Sequence, residues 1–254
     1  MTSIRYEATS GVGVVTIDRP EKRNAMTYSV LSEFIQTMRR AGDDDAARAV
    51  VITGAGGAFC AGIDLSDLAG RPQESRGTRE GEPWPIVACP KPVVAAVDGA
   101  AVGMGAEFTV QCDARVASAR ARFAWNFVHR GLVPDTGAGS WLLPRQVGLP
   151  TALRWLYSGA FVAADEALAA GYVAAVVEPE QVVAHAIALA QSLSQGSPFS
   201  IRRIKRLVYD GLGRDVDTHL TAHRRALQEC FGSDDHHEGV TAFLERREPT
   251  FTGR

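Results

Sequence analysis

The sequence predicts an α/β fold, with a body of alternating strands and helices followed by a helical C-terminal region. A short, continuous apolar run at residues 49–53 and a second, mainly apolar stretch at residues 91–97 are typical of buried strands, and a glycine-rich loop follows each of them. From about Thr151 onward, apolar residues recur at helical spacing instead. Because strands that alternate with helices pair in parallel, we expect a mainly parallel sheet. We place the body at residues 1–195 and the helical region at residues 196–254.

The N-terminal part predicts a hairpin and then a helix. Residues 4–7 and 12–17 alternate apolar with small or polar residues on either side of Ser10-Gly11, which indicates a β-hairpin. Residues 18–24 form a charged turn. A helix beginning at Thr27 or Tyr28 follows, and its apolar positions are Val30, Leu31, Phe34, Ile35 and Met38.

Further along the chain, weaker patterns predict short elements. A helix is expected from about Ala106, and short strands at residues 114–117 and 121–123. Residues 70–85 are polar and contain glycine and proline, so they are the best candidate for a mobile surface loop. Helices are predicted at residues 180–193, 198–209, 217–231 and 237–246.

Composition excludes several classes of protein. The 254 residues are 46% hydrophobic and 22% charged, which is typical of a globular chain rather than a disordered one. A net charge of −2 argues against a nucleic-acid partner. No apolar run is long enough to span a membrane, and no signal peptide is visible at the start. The cysteines form no CxxC pair, so we expect reduced thiols in a cytoplasmic protein.

Two glycine-rich strand-to-helix junctions, at residues 56–65 and 99–108, carry the strongest functional signal. Glycines there permit tight turns and allow a ligand to approach the backbone closely. A helix N-terminus adds free N–H groups and the positive end of a dipole. Two such junctions can direct two N–H donors at one oxygen, an arrangement suited to an oxyanion. The alternative is that both loops are merely tight turns.

Other known motifs fit these residues poorly. A dinucleotide-binding fingerprint would need glycine where Phe59 stands, and no Walker A lysine follows either loop. Ser140 lacks the glycines of a nucleophile elbow, because Ala138 and Leu142 flank it. His219 and His223 are four residues apart on a predicted helix, but no third ligand accompanies them. We therefore expect no metal site.

Five motifs lie in order along the chain, at residues 18–25, 58–65, 99–107, 131–135 and 238–247. With them the chain resembles a known family, the enoyl-CoA hydratase/isomerase (crotonase) superfamily. The resemblance covers nearly the whole chain, and the motifs occur in the family's order. Each motif is weak when taken alone, but the ordered set is specific.

The resemblance implies a crotonase-like spiral of ββα turns with a helical C-terminal region that builds homotrimers, often paired into hexamers. It places the oxyanion hole at the backbone N–H groups of Ile63 and Met104. Arg246 sits where the family often has a lysine near the CoA phosphates of a neighbouring subunit. The other positions implied to bind CoA are Lys22, Arg23, Ala25, Ala61, Gly62, Ile63, Asp64 and Leu65. Coenzyme A would enter as part of the substrate, and no metal or redox cofactor is implied.

Two carboxylates are candidates for proton transfer. Glu107 matches the first catalytic Glu of the hydratases, although a first-turn Glu can also simply complement the helix dipole. Phe127 occupies the position of the second hydratase Glu, which puts simple water addition in doubt. Asp135 matches a catalytic Asp of the isomerase branch that acts on ring-derived acyl-CoAs, or else it is a turn or N-cap residue. His129 is also close in sequence but is less suited to act as a base.

Our interpretation is an acyl-CoA enzyme that works through an oxyanion-stabilised enolate, in fatty-acid or related acyl-CoA metabolism. Double-bond isomerisation needs one base that removes and returns a proton. Hydration requires Glu107 and Asp135 together to hold a water. Two alternatives stay open: an acyl-CoA-binding protein without turnover, and a hydrolase or dehalogenase that uses Asp135 as its nucleophile.

Overall fold

The computed structural model describes residues 2–69 and 84–254. Its largest element is a six-stranded sheet in the order β1-β2-β3-β4-β6-β9. Within this sheet, among the described residues, the N-terminal hairpin β1–β2 is antiparallel and the other neighbouring pairs are parallel. The strands of this sheet are β1 (Ile4–Thr9), β2 (Val12–Ile17), β3 (Ala49–Gly54), β4 (Val93–Val97), β6 (Ala114–Ser118) and β9 (Ala175–Val177).

A second, smaller sheet in the order β5-β7-β8 holds the strand ends from which the site is built. Its strands are β5 (Ala100–Val102), β7 (Arg122–Ala124) and β8 (Val162–Ala163). The chain passes from β4 through a turn at Asp98-Gly99 into β5, and from there into a helix at Met104. This succession of a strand of the large sheet, a strand of the small sheet and a helix is a ββα unit.

Helices cover both faces of the large sheet, which explains the continuous apolar runs. Side chains alternate between faces along a strand, so Val50 and Ile52 of β3 pack into one cluster while Val51 packs into another. Phe34 and Met38 of the first helix complete the first cluster, and Ala186 and Ala190 of a later helix complete the second.

The helices up to Ala169 connect the strands of the two sheets. They are α1 (Tyr28–Asp43), α2 (Leu65–Ala69), α3 (Pro85–Ala88), α4 (Met104–Gln111), α5 (Ala138–Trp141), α6 (Leu143–Val147), α7 (Leu149–Ser158) and α8 (Ala164–Ala169). Those that follow are α9 (Val182–Leu193), α10 (Pro198–Gly211), α11 (Val216–Phe231) and α12 (Asp234–Glu245). None of the helices described is both long and apolar enough to cross a membrane.

Most predicted elements are present, and the differences have local causes. The N-terminal hairpin and α1 are confirmed, with Thr27 capping α1 by accepting from Val30 N–H. Helix α4 begins at Met104 rather than near Ala106, and α12 begins at Asp234, capped by Ser233, rather than at His237. Strands β8 and β9 lie where we expected only helices. The loop predicted at residues 70–85 falls mostly outside the described residues, and Pro85 begins α3.

Candidate active site

The segment that follows β3 runs alongside the charged turn that follows β2. Met26 N–H donates to Gly62 O at 2.7 Å, and Asp64 N–H donates to Met26 O at 2.7 Å, which makes an isolated parallel bridge between Met26 and Ile63. In a parallel bridge the residue between the two bonded groups turns its own N–H the other way. The Ile63 N–H therefore points away from Met26.

The Met104 amide lies next to this segment. Met104 is the first residue of α4, so its N–H has no intrahelical acceptor. A second isolated bridge, between Cys60 and Ala101, holds the two loops together, and Val102 N–H donates to Cys60 O at 2.9 Å. Among the residues that the structure describes, neither the Ile63 N–H nor the Met104 N–H donates to a protein acceptor.

Gly62 makes this close approach possible. Its φ is +95°, and a Cβ atom built there would lie 2.8 Å from Val102 O and 3.5 Å from Met104 N. The first distance is shorter than any normal carbon–oxygen contact, so a side chain would push the two loops apart. The chain at Gly62-Ile63 and the N-terminus of α4 are thus neighbours, and their two amides donate to no acceptor among the described residues.

The residues predicted to bind CoA at positions 22–25 and 61–65 lie together. Ala61 N–H donates to Arg23 O at 3.0 Å, which sets the two segments side by side. Lys22 and Arg23 are exposed, and Leu65 is half exposed. An ion pair of 3.9 Å between Arg19 and Asp64 adds a second link. This is an exposed surface with two cations and an apolar side chain on it.

Asn24 lies beneath this surface in the protein interior and stabilises it through hydrogen bonds. It is fully buried, and its Nδ2 group donates to Ala55 O at 2.8 Å and to Ala58 O at 2.6 Å. Its Oδ1 accepts from Arg19 N–H at 2.8 Å. The sequence-based prediction omitted Asn24, although the left-handed backbone that it adopts at φ 59° is one that Asn tolerates better than most residues.

Arg246 lies elsewhere in the chain. It is the C-terminal residue capping α12, it has a left-handed backbone and it is exposed. Its backbone N–H donates to Phe243 O at 3.3 Å, within the same helix. Among the described residues, Arg246 forms no hydrogen bond or ion pair with positions 22–25 or 61–65.

Glu107 is a buried carboxyl group with one oxygen bonded and one open. It sits in the first turn of α4, and its Oε2 accepts from Thr136 Oγ1–H at 2.5 Å and from Gly139 N–H at 3.1 Å. Its Oε1 is buried and has no hydrogen-bond partner among the described residues. Burial raises the pKa of Glu107 to about 7, helped by the negative charge of Asp135 and opposed by the Thr136 and Gly139 donors.

Asp135 shares the environment of Glu107. It is half-buried in the turn closed by Gly137 N–H donating to Pro134 O at 3.3 Å. Its charge raises the pKa of Glu107 and also that of the Cys60 thiol, after burial in both cases. Asp135 is not an N-cap, because α5 starts at Ala138 and Thr136 Oγ1 accepts from the Ala138 N–H. Both candidate carboxylates are therefore close enough to interact.

The surroundings of the other candidate residues indicate a structural role. Phe127 is buried in a short 3-10 helix, Asn126–Arg130, and His129 Nε2 lies 2.9 Å from Ser158 O on the exposed side. Trp125 stacks on Trp155 in the core with ring centroids 5.8 Å apart. No cluster of three or more potential metal ligands occurs among the described residues, and His219 with His223 forms only a ring contact.

The chain is similar to known proteins over nearly its whole length. The sequence model of the family described as enoyl-CoA hydratase/isomerase matches residues 7–254. A probable enoyl-CoA hydratase of Rhodobacter capsulatus is 39% identical over 99% of this chain and 98% of its own. The 1,2-epoxyphenylacetyl-CoA isomerase of Escherichia coli is 33% identical over the full length of both chains.

Solved structures show the same fold. The crystal structure of enoyl-CoA hydratase from Mycobacterium tuberculosis H37Rv superimposes with a TM-score of 0.92 at 31% identity, covering 100% of both chains. The expected crotonase-like α/β fold is thereby confirmed. The chain belongs to the enoyl-CoA hydratase/isomerase family and is an enzyme of that family.

Proposed function

We propose that this enzyme binds an enoyl-CoA thioester and stabilises the enolate form of its thioester oxygen with the N–H groups of Ile63 and Met104. The observation that carries the proposal is the pair of neighbouring backbone amides, which have no protein acceptor in the described part of the chain. Preorganised donors of this kind act where charge develops in the transition state, and each typically contributes a factor of about 100 to 1000 in rate.

In this proposal the two carboxylates move the proton. Asp135 removes a proton at the α or γ carbon and returns it to the other position. Glu107, whose pKa lies at about 7, can accept or release a proton near neutral pH. Every group in this step belongs to the chain or to the substrate.

We favour isomerisation over hydration for a chemical reason. Isomerisation needs one base that transfers a proton between two carbons, whereas hydration needs two groups to hold and activate a water. Phe127 is apolar and buried at the position where the resemblance implies a second Glu. The relative from Escherichia coli is named an isomerase, and several others are named hydratases.

Hydration remains the second candidate because of a specific observation. The charge of Asp135 raises the pKa of Glu107, so the two carboxyl groups are near enough to interact, as a water-activating pair requires. In this version Glu107 and Asp135 would hold the water between them. The acyl product distinguishes the two candidates, because hydration adds the mass of one water and isomerisation adds none.

We also propose that the exposed surface at positions 22–25 and 61–65 binds CoA: Lys22, Arg23, Ala25, Ala61, Gly62, Ile63, Asp64 and Leu65. The segments are joined by backbone hydrogen bonds, and the exposed cations suit phosphate groups. Arg246 would reach the same CoA only from a neighbouring subunit.

A homotrimer, or a hexamer of two trimers, is the assembly we propose. The C-terminal helices expose large apolar side chains that a neighbouring copy would cover. Ile204 and Val208 of α10 are 59% and 57% exposed, and Phe243 and Leu244 of α12 are 83% and 75% exposed. The division into a core of residues 1–195 and an oligomerisation region of residues 196–254 follows from this proposal. Four free cysteines support a cytoplasmic location.

The deciding experiment combines turnover with exchange. Wild-type enzyme is incubated in D₂O with 2-enoyl, 3-enoyl and aromatic acyl-CoAs, and the products are followed by mass and by deuterium incorporation. Asp135→Asn and Glu107→Gln should each lower the rate about 100- to 10,000-fold. The exposed Asp165→Asn on α8 is the matched control and should leave the rate unchanged.

Three outcomes would contradict the proposal. Full activity of both carboxyl variants would remove the acid–base assignment. CoA binding without any exchange would favour an acyl-CoA-binding protein. An acyl or aryl adduct on Asp135 would favour the nucleophilic mechanism of a hydrolase or dehalogenase.

A further inference from the structure

The turn that carries Asp135 also donates hydrogen bonds to Glu107, and both bonds go to the same carboxyl oxygen. Thr136 Oγ1–H and Gly139 N–H both donate to Glu107 Oε2, at 2.5 and 3.1 Å. Oε1 is buried, and residues 2–69 and 84–254 provide no hydrogen-bond partner for it. The two oxygens of one carboxyl group are therefore in different environments, both set by a single turn.

The Thr136 hydroxyl is itself held in one orientation. Its oxygen accepts from Ala138 N–H at 3.2 Å, which leaves its proton for Glu107. On the other side of the turn, Trp84 Nε1–H donates to Thr136 O at 2.9 Å. These contacts fix the backbone and the side chain of Thr136 together, so the donor is in place before any substrate arrives.

Because Gly139 has no side chain, Glu107 Oε1 can occupy the space next to it. A Cβ on Gly139 would lie 2.2 Å from Glu107 Oε1 and 3.2 Å from Trp125 Nε1. Trp125 Nε1 is likewise buried without a partner in the part of the chain that the structure describes. The missing side chain therefore keeps room beside the open carboxyl oxygen, and any substitution at Gly139 would displace that oxygen.

We propose that Thr136 is a positioning residue that, with the Gly139 amide, keeps Glu107 Oε2 occupied by donors, so that the exchangeable proton of Glu107 is carried by Oε1. An oxygen that accepts two hydrogen bonds has little capacity left for a proton, and the open oxygen takes it. The catalytic use of that proton rests on the proposed function, whereas the assignment of the proton to Oε1 does not.

Removing the hydroxyl has a defined electrostatic consequence. The ionised carboxylate loses a donor, so the neutral acid is favoured and the pKa of Glu107 rises. The titratable groups that face Glu107 are Asp135 from the turn, whose charge also raises this pKa, and the buried Tyr172 from the segment before β9. Arg115 is directed to the Tyr172 ring and to backbone carbonyls, and it does not contact Glu107.

The test is a titration that needs no turnover. Protein labelled with ¹³C at the Glu carboxyl carbon is titrated by NMR from about pH 5 to pH 9, with the Glu107 signal assigned from its absence in Glu107→Gln. Thr136→Val should raise the pKa of Glu107 by about one unit or more, because a hydrogen bond to a charged group is lost. Thr136→Ser keeps the hydroxyl and should stay close to the wild type.

A titration of Thr136→Val that coincides with the wild type would overturn the inference, and so would a Thr136→Ser variant that shifts as far as the valine variant. If the valine variant does not fold, the inference is tested on the Thr136 hydroxyl proton of the wild type. That proton should exchange slowly with water and show a nuclear Overhauser contact to Glu107. Exchange at the rate of a solvent-exposed hydroxyl would also overturn the inference.

Activity measured in parallel separates this inference from the proposed function. Deuterium exchange in the wild type with an unshifted Thr136→Val titration would leave the proposed function standing and the positioning role refuted. A shifted titration without exchange into any acyl-CoA would do the reverse. In an active enzyme, the limb of the pH–rate profile that reports Glu107 should move to higher pH in Thr136→Val and not in Thr136→Ser.

Discussion

The amide nitrogen of Met104 lies 3.5 Å from the point that a Cβ atom would occupy on Gly62. Gly62 immediately precedes Ile63, the other proposed donor, so a single glycine sets the separation of the two amides. Any side chain at position 62 acts on the oxyanion site directly, through the position of the backbone.

Gly62→Ala should therefore lower kcat/KM about 100-fold, the loss typical of one misplaced oxyanion donor. The added methyl group would lie 2.8 Å from Val102 O and push the two loops apart. Gly171→Ala is the matched control, since Gly171 also has a positive φ, +71°, but has open space around it. Steady-state kinetics with an enoyl-CoA check the prediction, and equal losses in both variants would attribute the effect to backbone strain alone.

The stability of the protein should depend on pH through Glu107. Its pKa in the folded state is about 7, above the ordinary value of 4.5, so between these values the native state binds more protons than the unfolded state. Stability from this group is present at low pH and is lost as the pH rises towards 7. Glu107→Gln should gain up to about 3 kcal/mol relative to the wild type between pH 4 and pH 8. Urea denaturation across this range measures the gap, and a constant gap would contradict the prediction.

Lys205 should anchor α10 to the body. Its Nζ donates to Asp113 Oδ2 at 2.8 Å and to Lys91 O at 3.0 Å, and the side chain is only 8% exposed. Lys205→Met would leave Asp113 without its cation in a partly buried position, at a cost of about 2 kcal/mol. Its neighbour Arg206 forms an exposed ion pair with Asp210, so Arg206→Met should cost less than about 0.5 kcal/mol. Equal midpoints of urea unfolding for the two variants would argue against this role.

Asn24→Asp should damage both folding and substrate affinity. The substitution would replace the Nδ2 donor with a carboxylate oxygen that faces the carbonyl oxygens of Ala55 and Ala58. Burying such an uncompensated group costs about 3 kcal/mol or more. Asn24→Ala removes the same bonds without adding charge, so it should be less severe. Thermal melting and the KM for an acyl-CoA check the order of the two variants, and a more stable aspartate variant would refute it.

The spacing of apolar residues predicts those strands and helices whose residues interact mainly with their neighbours in the sequence. The alternation in β2 and the helical spacing in α1 are of this kind, and both elements begin where expected. The start of α4 was placed two residues late, because a glycine-rich stretch carries no apolar period. Strands β8 and β9 were missed because two or three residues are too few to establish an alternation.

The residues of the candidate site also divide into those that the sequence predicts and those that it does not. Glu107 and Asp135 were identified because motif and residue type mark them. Thr136 and Gly139 were not, because their role depends on the distance to Glu107, some thirty positions away along the chain. Asn24 was missed for a related reason, since its carboxamide bonds to carbonyls of a different loop. Side chains that hold others in place leave no signature in sequence spacing.

The bridges Met26–Ile63 and Cys60–Ala101 are made of main-chain atoms alone. Substitution of the side chains nearby can therefore reshape the space around the acyl group while the two amides keep their positions. Relatives that share about a third of their residues can therefore differ in substrate choice. Each substitution can change the acyl pocket while the oxyanion-stabilising amides are retained.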